Sequence, residues 1–256
     1  GTFSANANVS NYALSLDGED DFVQIPNNAG YFINNKLTVG CKVNISDFNQ
    51  INSNGGYKLL TKYHTSNNGR AFSFQLGEDN GVLNIALTIS NGSDGIGNFT
   101  NYKFNYNFNI NEWYDIQATY NINEVSSNRI KIYLNGQELM NPTIIHDYSV
   151  NIGSNNTPIE ISRLYDNQHN DQVGFFNGFI DNVHVWNEVL SQSEILYYMN
   201  CPPSGNESGL VGYWNFEEGS GNTVLDLSPN GNNGTINGAN YDTNIPVQSC
   251  GLTNVN

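Results

Sequence analysis

Residues 178–186 read GFIDNVHVW. On a strand, where side chains alternate, Phe179, Asp181, Val183 and Val185 share one face. Three of these suit a dry core and the fourth is a carboxylate. An unpaired charge there costs several kcal/mol or takes up a proton, so Asp181 needs a partner. Backbone amides at a strand end, Arg163 or Lys131 could supply one from within the chain.

Other chemistries are weakly supported. Acid–base hydrolysis of a glycosidic bond needs two carboxylates about 5–9 Å apart. The acidic residues cluster instead in turns, at 17–21 and 217–218, while Glu112 and Asp115 flank Trp113. A lyase would need Arg, His and Tyr facing one groove. Tyr63, His64, Arg70, His146, Arg163, Tyr165 and His169 are available for that, but no motif links them. The sequence has no GxSxG elbow, HExxH pair or P-loop. His184 shares the parity of Asn182 and reads as a surface residue. These features predict a protein that is not an enzyme.

The elements that must position these residues are short strands. NYALSLDG and DFVQIP bracket an acidic turn, and KLTVGCKVNI, YKLLTKYH, AFSFQLG and VLNIALTIS follow. Then come NYKFNYNFNI, EWYDIQATYN, RIKIYLNG, IEISRLY and GFIDNVHVW, separated by runs rich in Asn, Ser and Gly. Such spacing predicts an antiparallel sandwich rather than βαβ units. In NYKFNYNFNI the aromatics Tyr102, Phe104, Tyr106 and Phe108 alternate with Asn and Lys, which predicts buried rings and a wet polar face. One short surface helix is expected in SQSEILYYM, where Ser191 and Glu194 have capping-box spacing and Ile195, Tyr198 and Met199 share a face.

Composition narrows the partners. The 256 residues carry 9 basic and 24 acidic side chains, a net charge of -15. That surface repels nucleic acid and anionic membranes. No stretch approaches the ~20 apolar residues of a membrane span, so no membrane insertion is expected. No signal peptide is visible, and Gly1 is not a natural start, which leaves room for a removed leader or upstream domains. Cys41 shares the parity of Leu37, Val39, Val43 and Ile45 and reads as a buried, inert thiol. Cys201 and Cys250 flank the C-terminal segment. If paired, they close a loop worth roughly 4 kcal/mol in the chain-entropy model and imply an oxidising, extracytoplasmic compartment.

NYALSLDGEDDFVQIP, NEWYDIQATYN with RIKIYLNGQEL, and FFNGFIDNVHVWNEVLSQSEI together resemble laminin-G-like domains of the concanavalin A-like lectin/glucanase superfamily. The last block is also similar to pentraxins. The likeness covers roughly residues 10–200 and implies an all-β fold, an antiparallel β-sandwich of jelly-roll type. CPPSG at 201–205 looks like a boundary. After it, GLVGYWNFEEGSGNTVLDLSPNGNNGTINGA resembles the opening strands of such a domain, placed last. The expected division is therefore a sandwich over 1–200 and a segment over 201–256 that folds back to complete it, fastened by Cys201 and Cys250. The alternative is the start of a second repeat. The tail, the Asn usage and the acidity resemble secreted or surface proteins of marine-type Bacteroidetes.

In that superfamily the last core strand commonly carries an Asp that binds Ca²⁺ with the turn after an N-terminal strand. The resemblance thus implies a calcium site at Asp181 with Asp17, Gly18 and Asp20 or Asp21, and the donors suit the ion. RLYDNQHNDQVG stands where pentraxins bind ligand through calcium, which makes Asp166, Asn167, Gln168 and Asp171 a second oxygen-rich candidate. The laminarinase-like relatives carry an E-x-D-x-x-E run that is lacking here. The function implied is a non-catalytic carbohydrate-binding module of a larger secreted or surface protein. Its partner would be a polysaccharide or glycan, neutral or calcium-bridged, bound by a monomer. Tyr63, His64, Arg70, Tyr165, Asp166 and His169 are the ligand candidates, because they lie in or beside loops. A protein-binding adhesion domain is the alternative, and a lyase or hydrolase the third.

Overall fold

The computed structural model describes residues 11–27, 33–51, 55–65, 68–93, 97–166, 171–248 and 250. β1 (Ala13–Asp17) and β2 (Phe22–Ile25) flank the acidic turn, and β3 (Lys36–Ile45) carries Cys41. β4 (Tyr57–Tyr63), β5 (Arg70–Asp79), β6 (Val82–Ser90) and β7 (Phe99–Asn105) form a meander. β8 (Trp113–Asn121), β9 (Ile130–Leu134) and β10 (Gln137–Glu138) form another, and β11 (Thr143–Asp147) returns to β7. β12 (Ile159–Ile161) precedes the hairpin of β13 (Leu164–Asp166) and β14 (Asp171–Val173). β15 (Asn177–Trp186) leads to α1 (Gln192–Asn200). Beyond it lie β16 (Leu210–Trp214), β17 (Thr223–Val224), β18 (Gly234–Asn237) and β19 (Asn240–Asp242).

Two antiparallel sheets result. The first runs β10-β9-β8-β3-β15-β1-β19, with β16 also paired to β15. The second runs β11-β7-β6-β5-β4-β12-β2-β18-β17. Alternation sends Leu14, Val39, Val43, Ile116 and Ile180 from one sheet, and Phe72, Phe74, Leu87, Tyr102 and Ile161 from the other, into one core. This is the jelly-roll sandwich that the strand pattern predicts. Val211, Trp214, Phe216 and Ile236 of the C-terminal segment enter that same core. Cys201 and Cys250 form a disulfide, and Cys41 is a buried free thiol.

The outer face of the first sheet is covered by a second layer. Ser191 caps α1: its hydroxyl accepts from Glu194 N at 3.3 Å while the Glu194 carboxylate accepts from Ser191 N at 2.7 Å. Ile195 is buried with Tyr133, Trp186, Leu190, Leu210 and Tyr213 over the sheet.

Two expectations about β15 are corrected by a β-bulge. The ladder to β3 shifts between Asp181 and His184, with Asn182 at φ 52°, so Asn182 and Val183 together face Cys41. Ile180, Val183 and Val185 then face the core, and Asp181 lies on the outer face opposite Lys42. Its carboxylate accepts from Asn182 N at 2.7 Å and Asn182 Nδ2 at 3.1 Å. His184 is not at the surface either. The second layer buries it, its Nδ1 accepts from Trp186 Nε1 at 2.9 Å, and burial lowers its pKa to about 3.

Candidate functional site

The outer face of the second sheet has a different character. Because its alternate residues fill the core, Gln24, Glu160, Thr61, Ser73, Thr88, Asn101 and His146 point away from it in one register-aligned row. Six inter-strand steps of about 4.8 Å make this row roughly 29 Å long. Its β12, β4 and β5 part is covered by the segment entering the β13–β14 hairpin, while Gln24 on β2 stays exposed. There Arg163 O accepts from Thr61 Oγ1 at 2.8 Å, and the Arg163 guanidinium pairs with Glu160. The same guanidinium donates to Gln172 Oε1 at 2.8 Å and lies 3.5 Å from the Phe22 ring centroid. Glu160, Thr61 and Ser73 are consequently buried, while Thr88, Asn101 and His146 are half-exposed. Beside the row, burial lowers the Lys58 pKa to about 7, its ammonium donating to Gly55 O at 2.6 Å and Gln75 Oε1 at 2.5 Å.

Aromatic groups border the half-exposed part on two sides. Tyr63 and Arg70 are register partners, with the guanidinium carbon 5.7 Å from the ring centroid. Arg70 Nη2 donates to Thr65 O at 2.7 Å. His64 bridges to Tyr165, their rings meeting edge-on at 5.3 Å. Burial lowers the His64 pKa, and its Nε2 is buried with no hydrogen-bond partner. On the other side Phe99 meets His146 edge-on at 4.4 Å, and His146 stacks with Tyr148 at 6.2 Å.

Four ligand candidates thus come together: Tyr63, His64, Arg70 and Tyr165. Asp166 pairs with Asp171 in the hairpin backbone. His169, Asn167 and Gln168 lie outside the described residues. His146 stands at the far end of the row rather than with the four. The sequence reading missed Thr88 and Ser73, although the alternation in VLNIALTIS and AFSFQLG held the signal.

A family model of the concanavalin A-like lectin/glucanases superfamily, the laminin G type, matches residues 17–196. The chain belongs to this family. Comparison with curated proteins finds no match. Among solved structures, this laminin-G-like chain is similar to a candidate carbohydrate-binding protein from Bacteroides ovatus, with a TM-score of 0.67 at 18% identity. That match covers 92% of this chain and 60% of the Bacteroides one, so the chain spans less than two thirds of its relative's length. It is also similar to a heptameric SAP-like pentraxin from Limulus polyphemus, with a TM-score of 0.57 at 13% identity over 90% of this chain and 95% of the pentraxin. At these identities the likeness is one of fold.

Calcium, which the family implies, can be tested against the donors present. Asp17, Asp20 and Asp21 offer carboxylate oxygens within 4.8 Å of one another. Asp21 is nearly buried, and its pKa is raised by burial and then by the charges of Asp17 and Asp20. Gly238 leaves a space against Asp21 Oδ1 that a Cβ would fill. This oxygen-only set fits a hard divalent cation. Asp181 does not join it. Asp17 pairs with Asn177, four residues back along β15, which sets Asp181 about 13 Å away. Gly18, at φ 81°, turns the chain beside Asn177.

Proposed function

We propose that this laminin-G-like chain is a non-catalytic carbohydrate-binding module of a larger secreted or surface protein. It holds a glycan along the half-exposed part of the second sheet's outer face. The observation that carries this is the aligned row of Thr88, Asn101 and His146 between two aromatic borders. Hydroxyl and amide side chains match sugar hydroxyls, and ring faces match sugar C–H surfaces. Glu160 in the row is already paired with Arg163, and Asp79 beside it with Lys103 at 2.8 Å. This favours binding over acid–base catalysis and a neutral polymer over an anionic one. Calcium at Asp17, Asp20 and Asp21 would stabilise the turn beside β1 without touching the glycan. The Cys201–Cys250 disulfide supports an oxidising compartment.

Native affinity electrophoresis against neutral and anionic polysaccharides, with calcium and with EDTA, tests this reading. Retardation by a neutral polymer without its degradation is expected, and Arg70→Ala or Asn101→Ala should abolish it. Retardation by no polymer would sink the carbohydrate reading and favour a protein partner. Shortening of the polymer would sink the non-catalytic one. For calcium, a melting temperature that rises with the ion and falls in EDTA is expected, and Asp21→Asn should remove the difference.

A further inference from the structure

The covered face of the first sheet is not closed throughout. A cleft of about 410 Å³ opens between β3, β8, the C-terminal end of α1 and the strap at residues 246–247. That volume falls within the range of small-molecule sites, about 300–1,000 Å³. Lys42 and Asp115 line it, each less than a tenth exposed. The Lys42 ammonium donates to Met199 O at 2.7 Å and stands 3.7 Å from Asp115 Oδ2, beyond hydrogen-bond range. Asp115 Oδ1 accepts from Gln117 Nε2 at 2.8 Å. The buried pair is therefore built but not closed, with a donor and an acceptor separated by the gap a hydroxyl would bridge.

The walls complete the pattern. Trp113, Met199 and Pro246 are apolar, and Asn135 and Asn200 bring amides. Trp113 Nε1 donates to Asn244 Oδ1 at 3.2 Å, which fixes the indole. Asn135 Oδ1 accepts from Asp115 N at 2.9 Å, and Asn200 Nδ2 donates to Leu196 O at 2.9 Å. Each amide keeps its other group for a ligand. An anion would meet Asp115 and a cation Lys42, whereas a hydroxyl satisfies both.

We propose that this cleft is a second binding site, which takes a neutral hydroxylated ring of pyranoside type. It shares no residue with the outer face of the second sheet and goes beyond the reading given to that face. A module with sites on both sheets could join two chains or two branches of a glycan, and each weak site would gain from the other through effective concentration.

The tryptophans give a private reporter. Trp186 and Trp214 are buried, their indole N–H groups donating to His184 Nδ1 at 2.9 Å and Asn232 O at 3.1 Å. Trp113 is half-exposed at the cleft. Indole N–H resonances would be followed by NMR while the methyl glycosides of glucose, galactose, mannose and xylose, and separately glucuronate, are added to roughly 50 mM, above the ~1 mM dissociation constant of a weak complex. The Trp113 signal should shift and saturate with at least one neutral glycoside while the other two indoles hold still. Val247→Trp, at the exposed mouth, and Asn200→Ala should each weaken that response about tenfold, a cost of about 1.4 kcal/mol. No Trp113 response to any neutral glycoside, a response to glucuronate alone, or a response undiminished in both variants would overturn the proposal. The two sites fail separately. Polymer retardation without an indole response removes this cleft alone, and an indole response without retardation removes the outer-face reading alone.

Discussion

The outer faces of the two sheets begin from the same alternation of polar and apolar residues and end differently. On the first sheet Lys42, Asp115, Gln117, Asn182 and His184 lie beneath the layer built by α1 and the C-terminal strap and are buried. On the second, Thr88, Asn101, Lys103 and His146 stay half-exposed. Outside the cleft, polar side chains on the covered face bond within the protein, as Trp186 does to His184 and Tyr213 to Asn182, and their job is to keep a buried layer satisfied. Those on the other face can exchange water for a ligand. A polar strand face therefore carries a functional meaning only once its covering is known.

The contrast can be broken most strongly at Asp115. Asp115→Ala leaves the Lys42 ammonium buried without its counter-charge and should cost roughly 3–5 kcal/mol in urea unfolding. Unfastening the C-terminal segment comes next. Replacing Cys201 and Cys250 by Ser removes a link across 49 residues and should cost about 4 kcal/mol. If it costs nothing, the covering layer does not depend on its fastening.

Acid sharpens the comparison further. The unfolded His184 imidazole takes a proton near pH 6.5, and the folded one only near 3. Between those values the unfolded chain binds more protons, so this contribution to stability is complete above about pH 6.5 and declines as pH falls toward 3. Lys42 nearby acts in the same sense. His184→Gln should therefore flatten the acid limb of the stability profile, and an unchanged slope would show that the imidazole is not buried. The smallest effect belongs to the uncovered face. Asn101→Ala should change stability by no more than about 0.5 kcal/mol, as surface substitutions do, yet abolish polymer retardation. A large loss of stability there would show that Asn101 belongs to a covered layer as well.

Much of the fold was readable because its signals are local. Strand periodicity placed Leu37, Val39, Cys41, Val43 and Ile45 in the core, and Ser191 with Glu194 marked the start of α1. NYKFN read correctly as buried Tyr102 and Phe104 beneath a polar face. Periodicity failed at GFIDNVHVW, where one extra residue at Asn182–Val183 left Val183 and Val185 in the core as expected but put Ile180 there in place of Phe179 and Asp181. A bulge of that kind follows from pairing with β3, and the local pattern does not record it. The site was readable in part. Loop position gathered Tyr63, His64, Arg70 and Tyr165, but the row through Ser73, Thr88 and Asn101 depends on the register of strands far apart in the chain.

By itself the sequence determined the strands, their core faces, the capped helix and an acidic surface, since each depends on residues close together. Tertiary structure decided which polar face is covered, where β15 changes phase, and that Asp17, Asp20 and Asp21 stand apart from Asp181. Those outcomes depend on which strands pair, in what register, and what packs over them. Such pairings are set by burial summed over the whole sandwich, which no short stretch of sequence encodes.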